Sequence, residues 1–315
     1  MKPRQRKDTE KDMKFKLLEP DDFDTYTPYF RNQSYDLCIY TLPSLIVWTN
    51  SLARHFVAMR EDMLLIYIDY PKGHIPPHLI MPISPEREID PEELSAICSS
   101  TDFQTISNIP ESYLGRFGSE KIAPFFQIEE QPEYEDYVYR TEDLSFLKGN
   151  KYAKKRNLIH QFEKEYVVKN RVTVEKMSAA TATECLIFLE KWCEEKDCSE
   201  NRDKMLACER ESAINAILNI ESIGIQGILL RIDGEVNAFG MASNLNPETG
   251  VLHFEKAFSR VKGLYQYFDR ECARRLFGES PLINKENDMS IPEIAHAKNS
   301  YFPLMRVKSF KFTLV

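Results

Sequence analysis

No stretch of the chain reaches the roughly 18 to 20 consecutive apolar residues that a bilayer-spanning helix needs, so membrane insertion is not expected. The opening MKPRQRKDTEKDMK is charged and no apolar run follows it, which argues against a secretory leader and for a cytoplasmic protein. The seven cysteines are odd in number, scattered and never spaced as CxxC. They fit reduced thiols better than disulfides, and no metal site is expected; even the nearest pair, Cys193 and Cys198, reads as a helix-face thiol and a loop thiol. Positive charge is also in deficit, with 41 Lys and Arg against 49 Asp and Glu and a net charge of -8. A surface coated in positive potential is excluded, but a local basic patch is not.

What is present is enough for a substantial core. The 315 residues are 43% hydrophobic, a length that favours two domains or one large one. One basic patch stands out, with Lys148, Lys151, Lys154, Lys155, Arg156, Lys164, Lys169 and Arg171 interrupted only by Glu163 and Glu165. Such a run is either a solvated helix face or a contact for a phosphate-rich partner, with Lys151, Lys154, Lys155 and Arg156 as the nucleic-acid-binding candidates.

The stretch from Val251 to Phe277 organises the rest. Val251 to Phe258 alternates as a strand, with His253 and Glu255 expected on one face. After Ser259 to Gly263, Leu264, Phe268, Cys272 and Leu276 recur every four residues, which makes a helix. Its first turn joins a glycine to Arg260 and Lys262, so free N–H groups and two cations are expected to face one anion.

Around this stretch the chain alternates strands and helices. Residues 1–13 are charged and aperiodic and read as a disordered tail. A strand at Phe15, paired strands across Val57 to Asp69, a strand within His78 to Ile83 and a helix opened by Asp90-Pro91-Glu92-Glu93 make a first unit, 14–166. The second, 167–315, repeats the pattern. It has a strand at Val172 to Met177, a helix capped by Thr181 and Glu184, another over Asp203 to Ile220, and a hairpin turning at Asp233-Gly234. It closes with a strand at Pro281 to Asn284, a helix boxed by Ser290 and Glu293, and a final strand from Val307 to Val315. The fold class is therefore α/β with mixed sheets in two similar domains dividing near Lys164 to Arg171, the active cleft expected in the second.

Three stretches resemble a known family: Asp136 to Phe162, His253 to Phe277 and Ile283 to Pro303. The Tyr-x-Lys-Lys-Arg-Asn run at Tyr152 to Asn157, and the Asn-x-Glu-x-Asp run at Asn284 to Asp288 followed by Lys298 and Tyr301, look like soluble bacterial relatives of the phosphatidylglycerol lysyltransferase C-terminal domain. That resemblance implies two tandem GNAT-like acyl-CoA N-acyltransferase domains. It also implies transfer of an aminoacyl group from aminoacyl-tRNA, without the membrane-embedded half that handles lipid in the lysyltransferases. The acyl-CoA pyrophosphate loop of GNAT enzymes, Gln/Arg-x-x-Gly-x-Gly/Ala, corresponds to Arg260, Val261, Lys262, Gly263, Leu264 and Tyr265, with a bulky tyrosine at the last anchor. Three readings stay open: an aminoacyl-tRNA-dependent transferase with tRNA as partner, an acyl-CoA-dependent N-acyltransferase, and a non-catalytic RNA- or nucleotide-binding module. The acceptor is a small molecule, a peptide or a lipid.

Acyl transfer needs a nucleophile relieved of its proton, a held donor and a place for the oxyanion. Glu255 and His253 are the candidate bases, the alternatives being a strand carboxylate paired with a cation and a packed imidazole. Asn284, Glu286, Asp288 and Lys298 are the substrate-binding candidates at a sheet edge, with helix capping the competing role of Asp288. Tyr301 supplies a phenol for the reacting carbonyl or, beside Phe302 and Pro303, a piece of core.

Overall fold

A computed structural model describes residues 14–73, 75–196 and 204–315. The expected tail 1–13 and Cys198 lie outside these residues. In chain order the strands are β1 (Lys16–Leu17), β2 (Arg54–Arg60), β3 (Met63–Asp69), β4 (His78–Leu79), β5 (Thr105–Pro110), β6 (Phe126–Glu130) and β7 (Asp136–Arg140). There follow β8 (Val172–Lys176), β9 (Gln226–Ile232), β10 (Glu235–Asn244), β11 (Thr249–Ala257), β12 (Leu282–Asn284), β13 (Met305–Val307) and β14 (Ser309–Leu314).

They form two seven-stranded sheets ordered β1-β2-β3-β4-β5-β14-β6 and β13-β7-β12-β11-β10-β9-β8. In each, the fourth and fifth strands of the unit, β4 with β5 and β11 with β12, pair in parallel while the other pairings are antiparallel. The two units therefore repeat one strand order, and they are tandem GNAT-like domains. Their seventh strands are exchanged. β7 leaves the first unit to pair with β12 and β13, and β14 returns from the end of the chain to lie between β5 and β6. Sheet membership consequently changes between Glu130 and Asp136 and again at Lys308, not near Lys164 to Arg171. The expected final strand from Val307 to Val315 is two strands in two sheets. Alternation gives a strand its faces but not its partner, so the exchange left no periodic trace.

Local chemistry explains most elements. The β9–β10 hairpin turns on Asp233 (φ 53°) and Gly234 (φ 87°), both in the left-handed region that a two-residue hairpin loop requires. Asp90 accepts a hydrogen bond from the Glu93 N–H at 2.9 Å and opens helix Pro91–Thr101. Two expected caps differ. Ser178 and Thr181 form the box before helix Ala182–Lys196, leaving Glu184 to pair with Arg231. Helix Pro292–Asn299 starts after Ile291 without a side-chain cap, because Ser290 is left-handed at φ 56°.

One core cluster is continuous through both units, joining Ile66, Leu79 and Ile106 to Phe239, Val251 and Phe254. The other lies between the second sheet and helices Thr141–Phe146, Ala153–Phe162 and Leu264–Leu276. Among the described residues no helix is long and apolar enough to cross a membrane.

Candidate active site

The site grows from the place where β11 and β12 part. Their last paired position is Val251 with Asn284, and beyond it the two strands diverge. Just there β11 carries a bulge: the register with β10 jumps from Met241–Phe254 to Ala242–Leu252, making His253 the extra residue. Strict alternation puts His253 and Glu255 on one face. The bulge breaks that alternation and gives them different surroundings.

Glu255 belongs to a polar cluster on the side of helix Leu264–Leu276. The Lys285 ammonium, just past β12, donates to Glu255 Oε2 at 2.9 Å and to Asp269 Oδ1 at 2.7 Å. Burial, and then the Asp269 carboxylate, push the Glu255 carboxyl up to about 7. Burial alone would pull Lys285 down, but Asp269 and Glu255 hold its ammonium above the usual range. Tyr301 closes the cluster, its phenol raised well above normal by burial and by Asp269. Lys155 Nζ lies 3.8 Å from the Tyr301 ring centre and donates to Ser300 Oγ at 2.7 Å, and burial lowers its pKa. Glu255 and Lys285 each keep only 14% of their side-chain surface exposed.

His253 lies in a second, closed cluster. Its Nε2 is 2.7 Å from Ser243 Oγ on β10 and its Nδ1 is 3.0 Å from Glu286 Oε1. The remaining substrate-binding candidates brace the loop that presents Glu286. Asn284 accepts from the Glu286 N–H at 2.7 Å and donates to Asp136 at 2.8 Å. Lys298, its pKa lowered by burial, donates to the carbonyls of Lys285 at 2.6 Å and Glu286 at 3.1 Å. Asp288 accepts from the Ser290 N–H at 2.8 Å and from the Tyr137 hydroxyl. Both carboxylate oxygens of Asp288 are thus used within the fold.

The anion-binding candidates do not form an open cradle. Arg260 is ion-paired with Glu195 and stacks on Phe258 at 3.7 Å. Gly263 takes a left-handed φ of 81°, but a Cβ there would stand 2.2 Å from the Leu158 carbonyl oxygen, so helix Ala153–Phe162 covers the turn. Tyr265 is held beside Trp192 and the Ala257 backbone, and Lys262 is exposed. In the first unit the corresponding helix, Pro91–Thr101, is capped by Asp90 and carries Glu92 and Glu93 in its first turn, charges that repel a phosphate.

The basic run is largely engaged within the chain. Lys151 is 3.7 Å from Asp143 and lies over the rings of Tyr152 and Phe302. Arg156 donates to the Gly149 carbonyl at 2.6 Å and to that of Leu147. Lys155 turns into the Tyr301 cluster, and Lys154 is exposed. Among the described residues no His, Cys, Asp and Glu side chains gather as a metal site. A groove of about 870 Å³ lies at the opposite end of β11 and β12, between Arg140, Phe146, Glu248, Arg274 and Leu304, away from all of these groups.

Ser243, Asp269, Lys285 and Asp136 escaped the sequence reading. Asp269, 3% exposed, had a signal: it sits between Phe268 and Cys272, next to the apolar stripe of its helix.

A family model described as "Phosphatidylglycerol lysyltransferase, C-terminal" matches residues 41–310. The chain belongs to this family. Among solved structures it is similar to a conserved protein of unknown function from Bacteroides thetaiotaomicron, at 25% identity and a TM-score of 0.82, with 96% of this chain and all of that one covered (100%). It is also similar to the C-terminal domain (DUF2156) of an Agrobacterium fabrum protein described as a lysylphosphatidylglycerol synthetase, at 11% identity and a TM-score of 0.57 over 82% of this chain and 84% of that one. A tandem GNAT protein from the clavulanic acid biosynthesis pathway aligns over 96% of this chain and 98% of that one, at 10% identity and a TM-score of 0.44. No curated protein matches. Family and fold together support an acyltransferase.

Proposed function

We propose that the protein is a cytoplasmic transferase that moves an aminoacyl group from aminoacyl-tRNA to a small-molecule, peptide or lipid acceptor, with Glu255 taking the acceptor's proton. The observation that carries this reading is the Glu255 carboxyl itself. Raised to about 7 beside the parting strands, it exchanges a proton near neutral pH, where a general base works best. Lys285, itself held by Asp269, orients it, and the Tyr301 phenol, hydrogen-bonded to Asp269 beside it, is the proposed donor to a departing oxygen.

The donor is argued from the helix ends. Leu158 packs against Gly263 at one turn, and at the other Asp90 takes the Glu93 N–H while Glu92 and Glu93 add negative charge, which argues against the pyrophosphate of an acyl-CoA at either helix end. An aminoacyl ester on a tRNA needs no such pocket. The experiment is to incubate the protein with aminoacyl-tRNA charged with labelled amino acids, and separately with labelled acetyl-CoA, supplying phospholipid, peptide and polyamine acceptors. Label leaving tRNA for an acceptor supports the proposal. Label leaving only acetyl-CoA replaces the donor, and no transfer from either leaves a binding module.

A further inference from the structure

The closed cluster around His253 is not used in that reaction. We infer that Ser243 carries the acyl group in transit, so that transfer passes through a serine ester with His253 as its base; this rests on the acyltransferase reading above. The three side chains stand in the order of a nucleophile, a base and an orienting carboxylate. Ser243 Oγ is 2.7 Å from one imidazole nitrogen, and Glu286 is 3.0 Å from the other. With Nδ1–H donating to Glu286, the Nε2 lone pair is left to accept the serine hydroxyl proton.

The backbone is shaped to keep this order. Glu286 is held at a positive φ of 59°, a conformation that costs a non-glycine residue, and Asn284 and Lys298 fix its N–H and its carbonyl. His253 is the bulge residue, two residues past the last β11–β12 pair, where the gap between the strands begins. Ser243 and His253 are only 4% and 5% exposed, and exclusion of water at that point favours transfer of a serine ester over its hydrolysis.

The step balances without a further reagent. Ser243 Oγ bonds to the donor carbonyl carbon while its proton passes to His253 Nε2, and the bond to the donor's oxygen breaks as that oxygen takes the proton from His253. The acceptor then gives its proton to Glu255, as proposed above, and attacks the ester carbonyl. Ser243 Oγ leaves and recovers a proton from solvent through His253, while Glu255 releases the acceptor's proton to solvent.

The test uses p-nitrophenyl acetate as an activated acyl donor on the intact chain, with p-nitrophenol release followed and the acetyl group mapped by peptide mass spectrometry. The expected result is acetyl on Ser243 in wild type, none at that position in Ser243→Ala, and acetylation about 100-fold or more slower in His253→Gln. Ser243→Cys is a second variant, expected to retain the acetyl group as a thioester at the same position. Wild-type protein with no acetyl on Ser243, or His253→Gln acetylated at the wild-type rate, overturns the inference. Aminoacyl transfer that proceeds in Ser243→Ala also overturns it, leaving direct transfer and the proposed function standing. Acetyl on Ser243 without turnover of aminoacyl-tRNA upholds the serine ester and removes the donor proposed above.

Discussion

Glu255 and Lys285 meet at 2.9 Å across two strands that have already stopped pairing. The contact replaces the backbone ladder at the mouth of the gap, and Asp269 shares the same ammonium from the helix side at 2.7 Å. Burial disfavours the charged carboxylate and the neighbouring Asp269 charge adds to it, so the Glu255 carboxyl shifts into the neutral range despite Lys285.

A base must be unprotonated to act, which fixes the sign of its pH dependence. kcat/KM for acyl transfer is expected to rise with pH and level off above about 7. Glu255→Gln is expected to lower kcat by roughly 100- to 10,000-fold and to remove the rising limb while the protein remains folded. Full activity in this variant would remove Glu255 from the chemistry.

The pairing of β11 with its helix was legible in the sequence, because period-two and period-four apolar patterns flank Gly263 directly. The sharing of roles between His253 and Glu255 was not. A bulge adds one residue without changing composition, and it separated the pair that alternation had joined. Lys155 was read as part of a basic face, yet its chain reaches across to Tyr301, a contact set by tertiary packing of residues 146 apart in sequence. Asn284 to Lys298 were recognised as a group, but their mutual hydrogen bonds, which turn most of them into braces for one loop, depend on left-handed residues such as Glu286 that no pattern marks.

Asp136 links the units and gives stability its own pH dependence. It accepts hydrogen bonds from the Cys38 N–H at 2.6 Å and from Asn284 at 2.8 Å, and burial raises its carboxyl to about 6. Its unfolded value is about 3.9, so between these limits the native state binds more protons than the unfolded one. Stability from this group is complete below about 4 and is lost as pH rises through about 6, a change on the order of 3 kcal/mol. Urea unfolding across this range should show a decline in wild type that is shallower in Asp136→Asn, the remainder belonging to Glu255; an unchanged profile in the variant would refute the assignment.

The exchanged strands predict that the end of the chain stabilises its beginning. Phe312 on β14 is fully buried, packing on Phe126 and Tyr113 of the first unit. Phe312→Ala is expected to cost about 3–5 kcal/mol. Hydrogen exchange should show amides of β5 and β6 losing protection before those of β9 and β10. Loss confined to the second sheet would contradict the exchange.

The basic run separates two roles that composition alone cannot. Arg156 spends its guanidinium on the carbonyls of Gly149 and Leu147, whereas Lys154 is exposed. Arg156→Ala is therefore expected to cost about 1 kcal/mol of stability, the scale of a net intramolecular hydrogen bond, visible as a lowered melting temperature. Lys154→Ala should leave the melting temperature unchanged. If tRNA phosphates lie along this helix, Lys154→Ala should flatten the dependence of log affinity on log salt by roughly one unit. Fluorescence anisotropy of labelled tRNA at several salt concentrations gives the slope. A slope unchanged in Lys154→Ala moves the tRNA contact to another surface, and wild-type protein that binds no tRNA even at low salt ends the aminoacyl-tRNA reading.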